Sequence, residues 1–423
     1  MRLTLNFVSH LVLTTTFTTI FVAASASNTG FDVKPFKIDL AGEIPHLKSL
    51  VNSTRLPATA LYPNAGPSKG IDLETLRDLR TDWLTKYDWE AQQAELNQFS
   101  VVEFSLNVSD HWITVHFVHE KSAEPDAIPV ILLHGWPGSF HEFVPVIKPL
   151  TESAVTSTGK KVAFNVVVPS LPGFVFSSAP PTTNWNNDDT ARIFNTLMTE
   201  VLGYSTYAVH GTDWGSGVGY SMYASFNKTV RVTHLDFLAF LPPSAEEIAE
   251  NNITLSDVQK VTEQRFTFYD SIGNSYFTEQ TTKPNDIGLA LNDNPVGQLA
   301  WIGSKFKLWS DPRAGTPPSV LNNTAILTSV SLYYLTQSFL SSVWIYAQNP
   351  TGFQTVYTKA ATDAPLLFSQ FEYNIGLWPK EYVAKLGNLV SYKVHDFGGH
   401  FAGLDNPPAL IEDIRDIGIY FKA

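Results

Sequence analysis

With 423 residues, 44% hydrophobic and 13% aromatic, the chain can bury a large core, falls outside the disordered class and has the length of two or three structural units. Its formal charge of −12, with no dense Lys/Arg tract, argues against a nucleic-acid partner. The absence of cysteine excludes disulfides, thiolate chemistry and Cys-ligated zinc.

The first 26 residues read as a secretory signal. Arg2 supplies the positive start, residues 11–24 are weakly apolar and diluted by threonine, and Ala24-Ser25-Ala26 fits a cleavage site. Fourteen residues are too few for a bilayer, which needs about 20. Asn-x-Ser/Thr sequons at Asn52, Asn107, Asn227, Asn252 and Asn322 agree with passage through the secretory pathway. The expectation is a secreted glycoprotein, with retention in the endoplasmic reticulum membrane as the alternative.

Residues 27–100 read as a helical and irregular lead-in wrapping the core, with Leu73, Leu76, Leu79 and Leu84 at roughly helical intervals. Residues 101–106 and 112–119 form a hairpin-like pair of strands, and 128–133 is a continuous apolar run, as in a strand buried on both faces. Another strand is expected at 166–168, then a helix over 188–202 capped by Asn187 or Asp188. An apolar run at 207–209 leads into a glycine-rich turn and a helix-like segment, followed by a strand at 232–238. Strand signals then stop, and residues 244–360 are aromatic-rich and mostly helical in pattern. Strands resume at 365–371 and 390–394, before a last helix over 408–421. This order predicts an α/β fold with a mainly parallel sheet. Its core comprises residues 101–243 and 361–423, interrupted by a helical cap at 244–360.

Gly211-Thr212-Asp213-Trp214-Gly215-Ser216 has the layout of a nucleophile elbow, in which small residues let the chain turn sharply and expose the middle side chain. Serine there makes an acyl-enzyme. Aspartate instead points to a carboxylate that attacks a saturated carbon and forms an alkyl ester. His134-Gly135-Trp136-Pro137, after the 128–133 strand, can aim a backbone amide at the site, so the amides of Trp136 and Trp214 are the candidate oxyanion donors. His400, in a Gly-Gly-His turn after the last strand, is the candidate base, since it follows the nucleophile in α/β-hydrolase order.

The chain resembles the microsomal-type epoxide hydrolases, a branch of the α/β-hydrolase fold with its own amino-terminal region, over nearly all of its mature length. The resemblance is carried by Tyr87-Asp88-Trp89-Glu90, Leu96-Asn97-Gln98-Phe99, His134 to Phe140, Gly211 to Ser216, and Leu291-Asn292-Asp293-Asn294-Pro295-Val296-Gly297. It implies hydrolysis of a small apolar epoxide to a vicinal diol, with no metal or organic cofactor. It also implies two cap tyrosines donating to the epoxide oxygen, matched here by Tyr276 and Tyr346. A phenol suits that task because its reference pKa near 10 keeps it protonated at neutral pH.

One position departs from the family. An Asp or Glu that orients the histidine is replaced by Asn374, while Glu372 is the nearest carboxylate, two residues earlier in an extended segment. The orienting role is left open between Asn374, Glu372 and neither of them. Haloalkane dehalogenation, which shares the Asp nucleophile, and a catalytically silent binding protein of the same fold are the competing readings.

Overall fold

A computed structural model of the protein describes residues 31–422 apart from 64, 109 and 110. The expected signal and its cleavage site lie outside the described residues. The strands, in chain order, are β1 (Asp32–Pro35), β2 (Val101–Val108), β3 (His111–Glu120), β4 (Ile128–Leu133), β5 (Ala154–Val155), β6 (Lys161–Val162), β7 (Phe164–Pro169), β8 (Tyr207–Gly211), β9 (Val230–Leu235), β10 (Pro365–Tyr373) and β11 (Asn388–Gly399). Nine of them form one sheet in the order β1-β2-β3-β7-β4-β8-β9-β10-β11, and β5 pairs only with β6. From β7 to β11 every pairing is parallel, and from β1 to β7 every pairing is antiparallel. This is the α/β-hydrolase arrangement.

The inner strands read as unbroken apolar runs because helices cover them. All five residues of β8 are buried, and the helices Val144–Thr151 and Asp213–Ser225 pack against the sheet. Sequence periodicity misses β1, whose four residues are all exposed and therefore carry no alternation. The expected 188–202 helix is Asn187–Thr196 continued by a π-type turn over Leu197–Val201, and its cap is Asn186 rather than Asn187 or Asp188. Asn186 accepts from the Asp188 and Asp189 amides, while the Asp189 carboxylate accepts the Asn186 N–H, so three otherwise unpaired donors are satisfied together.

Between β9 and β10 the chain is helical, including Asp257–Phe268, Ser275–Thr282, Pro295–Trp309, Asn323–Leu335 and Phe339–Gln348. The lead-in helix Leu73–Thr85 begins at Asp72, whose carboxylate accepts from the Thr75 amide at 2.8 Å. It buries Leu76, Leu79 and Trp83. The Trp83 indole donates to Ser331 at 3.1 Å and the Tyr87 hydroxyl meets Thr328 at 3.2 Å, so this lead-in also grips the helical layer. No helix among the described residues is long and apolar enough to cross a membrane.

Candidate active site

The site forms where the parallel strands end, the place at which open α/β sheets bind ligands. Asp213 stands between β8 and its helix with φ +45°, in the left-handed region that Asp tolerates better than most residues. Gly215 permits the sharp turn, because a methyl group there would collide with the Leu133 carbonyl. A methyl on Gly135 would strike the Asp213 carboxylate in the same way. Both glycines are therefore required by close approach of backbone to neighbours.

The Asp213 carboxylate is shared between two partners. Its Oδ1 accepts the Trp136 amide at 2.7 Å, and its Oδ2 lies 3.3 Å from His400 Nε2. Asp213 is 8% exposed and His400 2%, so the pair sits in a dry setting with a small opening at the acid. Trp214 follows in the first helical turn, its indole edge-on to the Tyr346 ring with centroids 4.9 Å apart.

Asn374 carries the histidine. Its Oδ1 lies 3.0 Å from His400 Nδ1 and also accepts the Ile375 amide at 2.8 Å, while its Nδ2 donates to the Asp236 carbonyl at 2.9 Å. An amide held on both sides has only one orientation, so the oxygen faces the ring. Nδ1 of His400 therefore carries the proton and Nε2 presents a lone pair to the Asp213 side. Glu372 does not reach His400. It pairs with Arg313 at 3.4 Å, which also clamps the buried Asp311. The expectation that Glu372 shares the side of Asn374 fails because register slips between Phe371 and Tyr373 and the strand ends at Tyr373. Period-two alternation does not survive that break.

Tyr276 and Tyr346 are both buried, with ring centroids 5.8 Å apart and nearly perpendicular planes. Tyr276 stacks on Trp136 at 5.4 Å. Burial and then nearby charge, including that of Asp213, push both phenols well above their ordinary range, which keeps them as donors. A cavity of about 130 Å³ lies alongside, lined by Phe237, Phe277, Phe353, Tyr269, Ile375 and Trp378. Phe237 is edge-on to His400 at 5.1 Å, and Phe277 to Tyr346 at 5.1 Å, so the apolar walls reach the reacting groups. Among the described residues, no group of three or more His, Asp or Glu side chains is arranged to hold a metal ion.

Sequence reading missed several supporting residues. The Tyr333 hydroxyl donates to the Gly138 carbonyl at 2.6 Å, and the Leu171 amide donates to His134 Nε2 at 3.1 Å, which together hold the turn that carries Trp136. The Tyr269 hydroxyl lies 2.9 Å from that of Tyr276, a contact its seven-residue spacing in a helical segment could have flagged. Two buried acids, Glu142 and Asp236, lie close enough to Asp213 to feel its charge.

Asp236 yields a pH-dependent prediction. Neither of its oxygens meets a donor at hydrogen-bonding geometry. Burial drives its pKa up to about 8, opposed mainly by the nearby Thr212 hydroxyl. A raised pKa leaves stability intact below the unfolded value near 4. That stability is lost as pH rises towards about 8, because the unfolded chain ionises while the folded one stays protonated. Asp236→Asn is therefore expected to match the wild type near pH 4 and to exceed it by several kcal/mol, on the order of one per pH unit, towards pH 8. Denaturant melts at pH 5, 6.5 and 8 check this, and a gap independent of pH would contradict it.

Residues 33–143 match the family model of the epoxide hydrolase N terminus, and residues 128–265 match that of the alpha/beta hydrolase fold. The juvenile hormone epoxide hydrolase 2 of Ctenocephalides felis is 31% identical over 410 residues, covering 90% of this chain and 84% of that one. Among solved structures, Aspergillus niger epoxide hydrolase aligns with a TM-score of 0.77 at 31% identity, over 92% of this chain and 97% of that one. Juvenile hormone epoxide hydrolase from the silkworm Bombyx mori gives a TM-score of 0.79 at 26% identity, over 92% and 95% of the two chains.

Proposed function

The chain belongs to the epoxide hydrolases of the α/β-hydrolase fold, and on that premise we propose that it opens its substrate in two steps, through an ester on Asp213. Its reactants are an epoxide and water, and the bond it breaks is an ether bond. The observation that carries the two-step reading is the divided carboxylate, with one oxygen on the Trp136 amide and the other 3.3 Å from His400 Nε2.

Trp136 engages Oδ1, so Oδ2 attacks an oxirane carbon from behind while Tyr276 and Tyr346 hydrogen-bond the departing oxygen and one of them gives it a proton. The resulting hydroxyalkyl ester keeps its carbonyl oxygen on the Trp136 amide. Water then attacks the Asp213 carboxyl carbon as His400 Nε2 takes its proton. The amides of Trp136 and Trp214 hold the oxyanion, a vicinal diol leaves as His400 returns its proton to the departing oxygen, and the proton released by the restored carboxylic acid returns to the phenolate. Atoms and charge balance over the cycle with one water consumed.

Asn374 shapes the second step. In a serine protease triad, Asn in place of the orienting Asp costs about ten-thousand-fold because the ring adopts the wrong tautomer. Here the Ile375 amide and the Asp236 carbonyl turn the amide oxygen towards the ring, so the tautomer is correct. What Asn374 lacks is charge, which leaves the imidazolium less stabilised and makes ester hydrolysis the slow half of the cycle.

The reading as a secreted glycoprotein is supported by the five sequon asparagines, all of which are exposed. A mobility shift on N-glycosidase treatment of protein recovered from culture medium checks both properties. The chemical test is one turnover in ¹⁸O-water with enzyme in excess. The label is expected in the Asp213 carboxylate and not in the first diol, because the diol oxygen comes from Asp213. Label in the first diol would mean direct attack by water and would sink the ester route.

A further inference from the structure

Tyr276 has one O–H proton and two possible uses for it. It can be spent on Tyr269, whose hydroxyl lies 2.9 Å away, or on the oxirane oxygen. Which use prevails depends on which of the two tyrosines donates to the other. Tyr269 sits on a single π-type turn, Tyr269–Gly273, that interrupts the helical run between Asp257–Phe268 and Ser275–Thr282. Such turns recur at functional sites because they re-aim a side chain that regular helix would point elsewhere. The Tyr269 ring is edge-on to Trp309 at 6.2 Å, and Trp309 in turn packs on Tyr276 at 5.1 Å and on His400 at 5.2 Å. Tyr269 also lines two cavities. One is the apolar cavity beside the site, and the other is a cavity of about 340 Å³ that it shares with Lys305, Arg265 and Trp309.

Resting on the reading of Tyr276 as a donor to the epoxide, we propose that Tyr269 is a positioning residue for ring opening: its hydroxyl donates to the Tyr276 oxygen, turns the Tyr276 proton towards the oxirane, and holds the phenolate left when that proton departs. The step balances. The oxirane C–O bond breaks as Asp213 Oδ2 forms its bond to carbon, and the alkoxide takes the Tyr276 proton. Negative charge on Tyr276 oxygen is then met by the Tyr269 O–H, until ester hydrolysis releases the proton that restores the phenol. Burial raises the pKa of Tyr269, which keeps it protonated for this task. The Lys305 ammonium lies 5.2 Å from the Tyr276 ring and favours a phenolate there.

The test uses the full chain with styrene oxide as probe, following ester formation and ester hydrolysis separately by stopped-flow tryptophan fluorescence. Tyr269→Phe keeps the ring against Trp309 and removes only the hydroxyl. It is expected to slow ester formation about tenfold and leave ester hydrolysis unchanged. In a Tyr276→Phe background the same substitution is expected to change neither rate, because the partner oxygen is gone. A purely structural Tyr269 would slow both steps or add its effect in either background, and either outcome overturns the proposal. Faster ester formation in Tyr269→Phe overturns it too, since Tyr276 would then have been donating to Tyr269. Tyr276→Phe and Tyr346→Phe alone separate the two levels: if neither slows ester formation, the reading of Tyr276 fails, whereas a loss there with an indifferent Tyr269→Phe rejects only the role of Tyr269.

Discussion

His400→Gln is expected to convert the enzyme into one that reacts once and stops. On the proposed route, ester formation needs Asp213, the back face of an oxirane carbon and the two phenols, none of which the imidazole supplies. Ester hydrolysis needs a base for water, and removing a general base costs about 10² to 10⁴ in rate. Incubation with excess epoxide should therefore leave one adduct per chain, its mass equal to that of the epoxide, on the peptide containing Asp213. Diol should stay well below one equivalent for as long as the adduct persists. The neutral amide of Gln fits beside Asn374 without the imidazole's proton, so packing around Phe237 and Trp309 is largely kept. Continued turnover at the wild-type rate without an adduct would show that water attacks the epoxide directly and that His400 belongs to another step.

Asp213→Asn carries the larger expected loss, about 10⁴-fold or more in turnover, because it removes the proposed nucleophile itself. The same change is expected to make the protein more stable. Asparagine tolerates the +45° φ at this position and still offers an oxygen to the Trp136 amide. It also deletes a charge that sits within range of Glu142 and Asp236, both already driven towards neutrality by burial. A site that concentrates three buried carboxyl groups is costly to fold, and removing one charge at such a place commonly trades activity for stability. A thermal melt alongside the assay checks both parts, with mass spectrometry confirming that residue 213 is still Asn. A lower melting temperature would show that the carboxylate contributes more through His400 than it costs through its acidic neighbours.

How much of this was legible in the chain follows from how local each signal is. Asp213, His400 and the Trp136 turn sit in short glycine-bearing motifs at strand ends, where the backbone demands small residues at set offsets, so sequence alone locates them. Tyr276 and Tyr346 have no such local mark; only resemblance to a family picks them out among the tyrosines. Asn374 and Glu372 stayed tied because alternation along β10 was extended one residue too far, through a register slip that nothing in the local composition announces. Asp236 and Glu142 owe their importance to neighbours distant in sequence, and burial of that kind is a tertiary property, whereas the Tyr269 contact lies within seven residues. The mainly parallel sheet was legible because its covered strands are apolar on both faces, whereas exposed β1 was not.

β9 and β10 lie side by side in the sheet, so everything between them leaves and re-enters through adjacent doorways. A different insert could be spliced in there without altering the order in which the strands fold together. Selection or engineering can thus rewrite the choice of epoxide while the nucleophile and base stay put. The exchange is not free of obligation: Tyr276 and Tyr346, the phenols proposed to receive the oxirane oxygen, travel with the insert. Any replacement would have to bring its own.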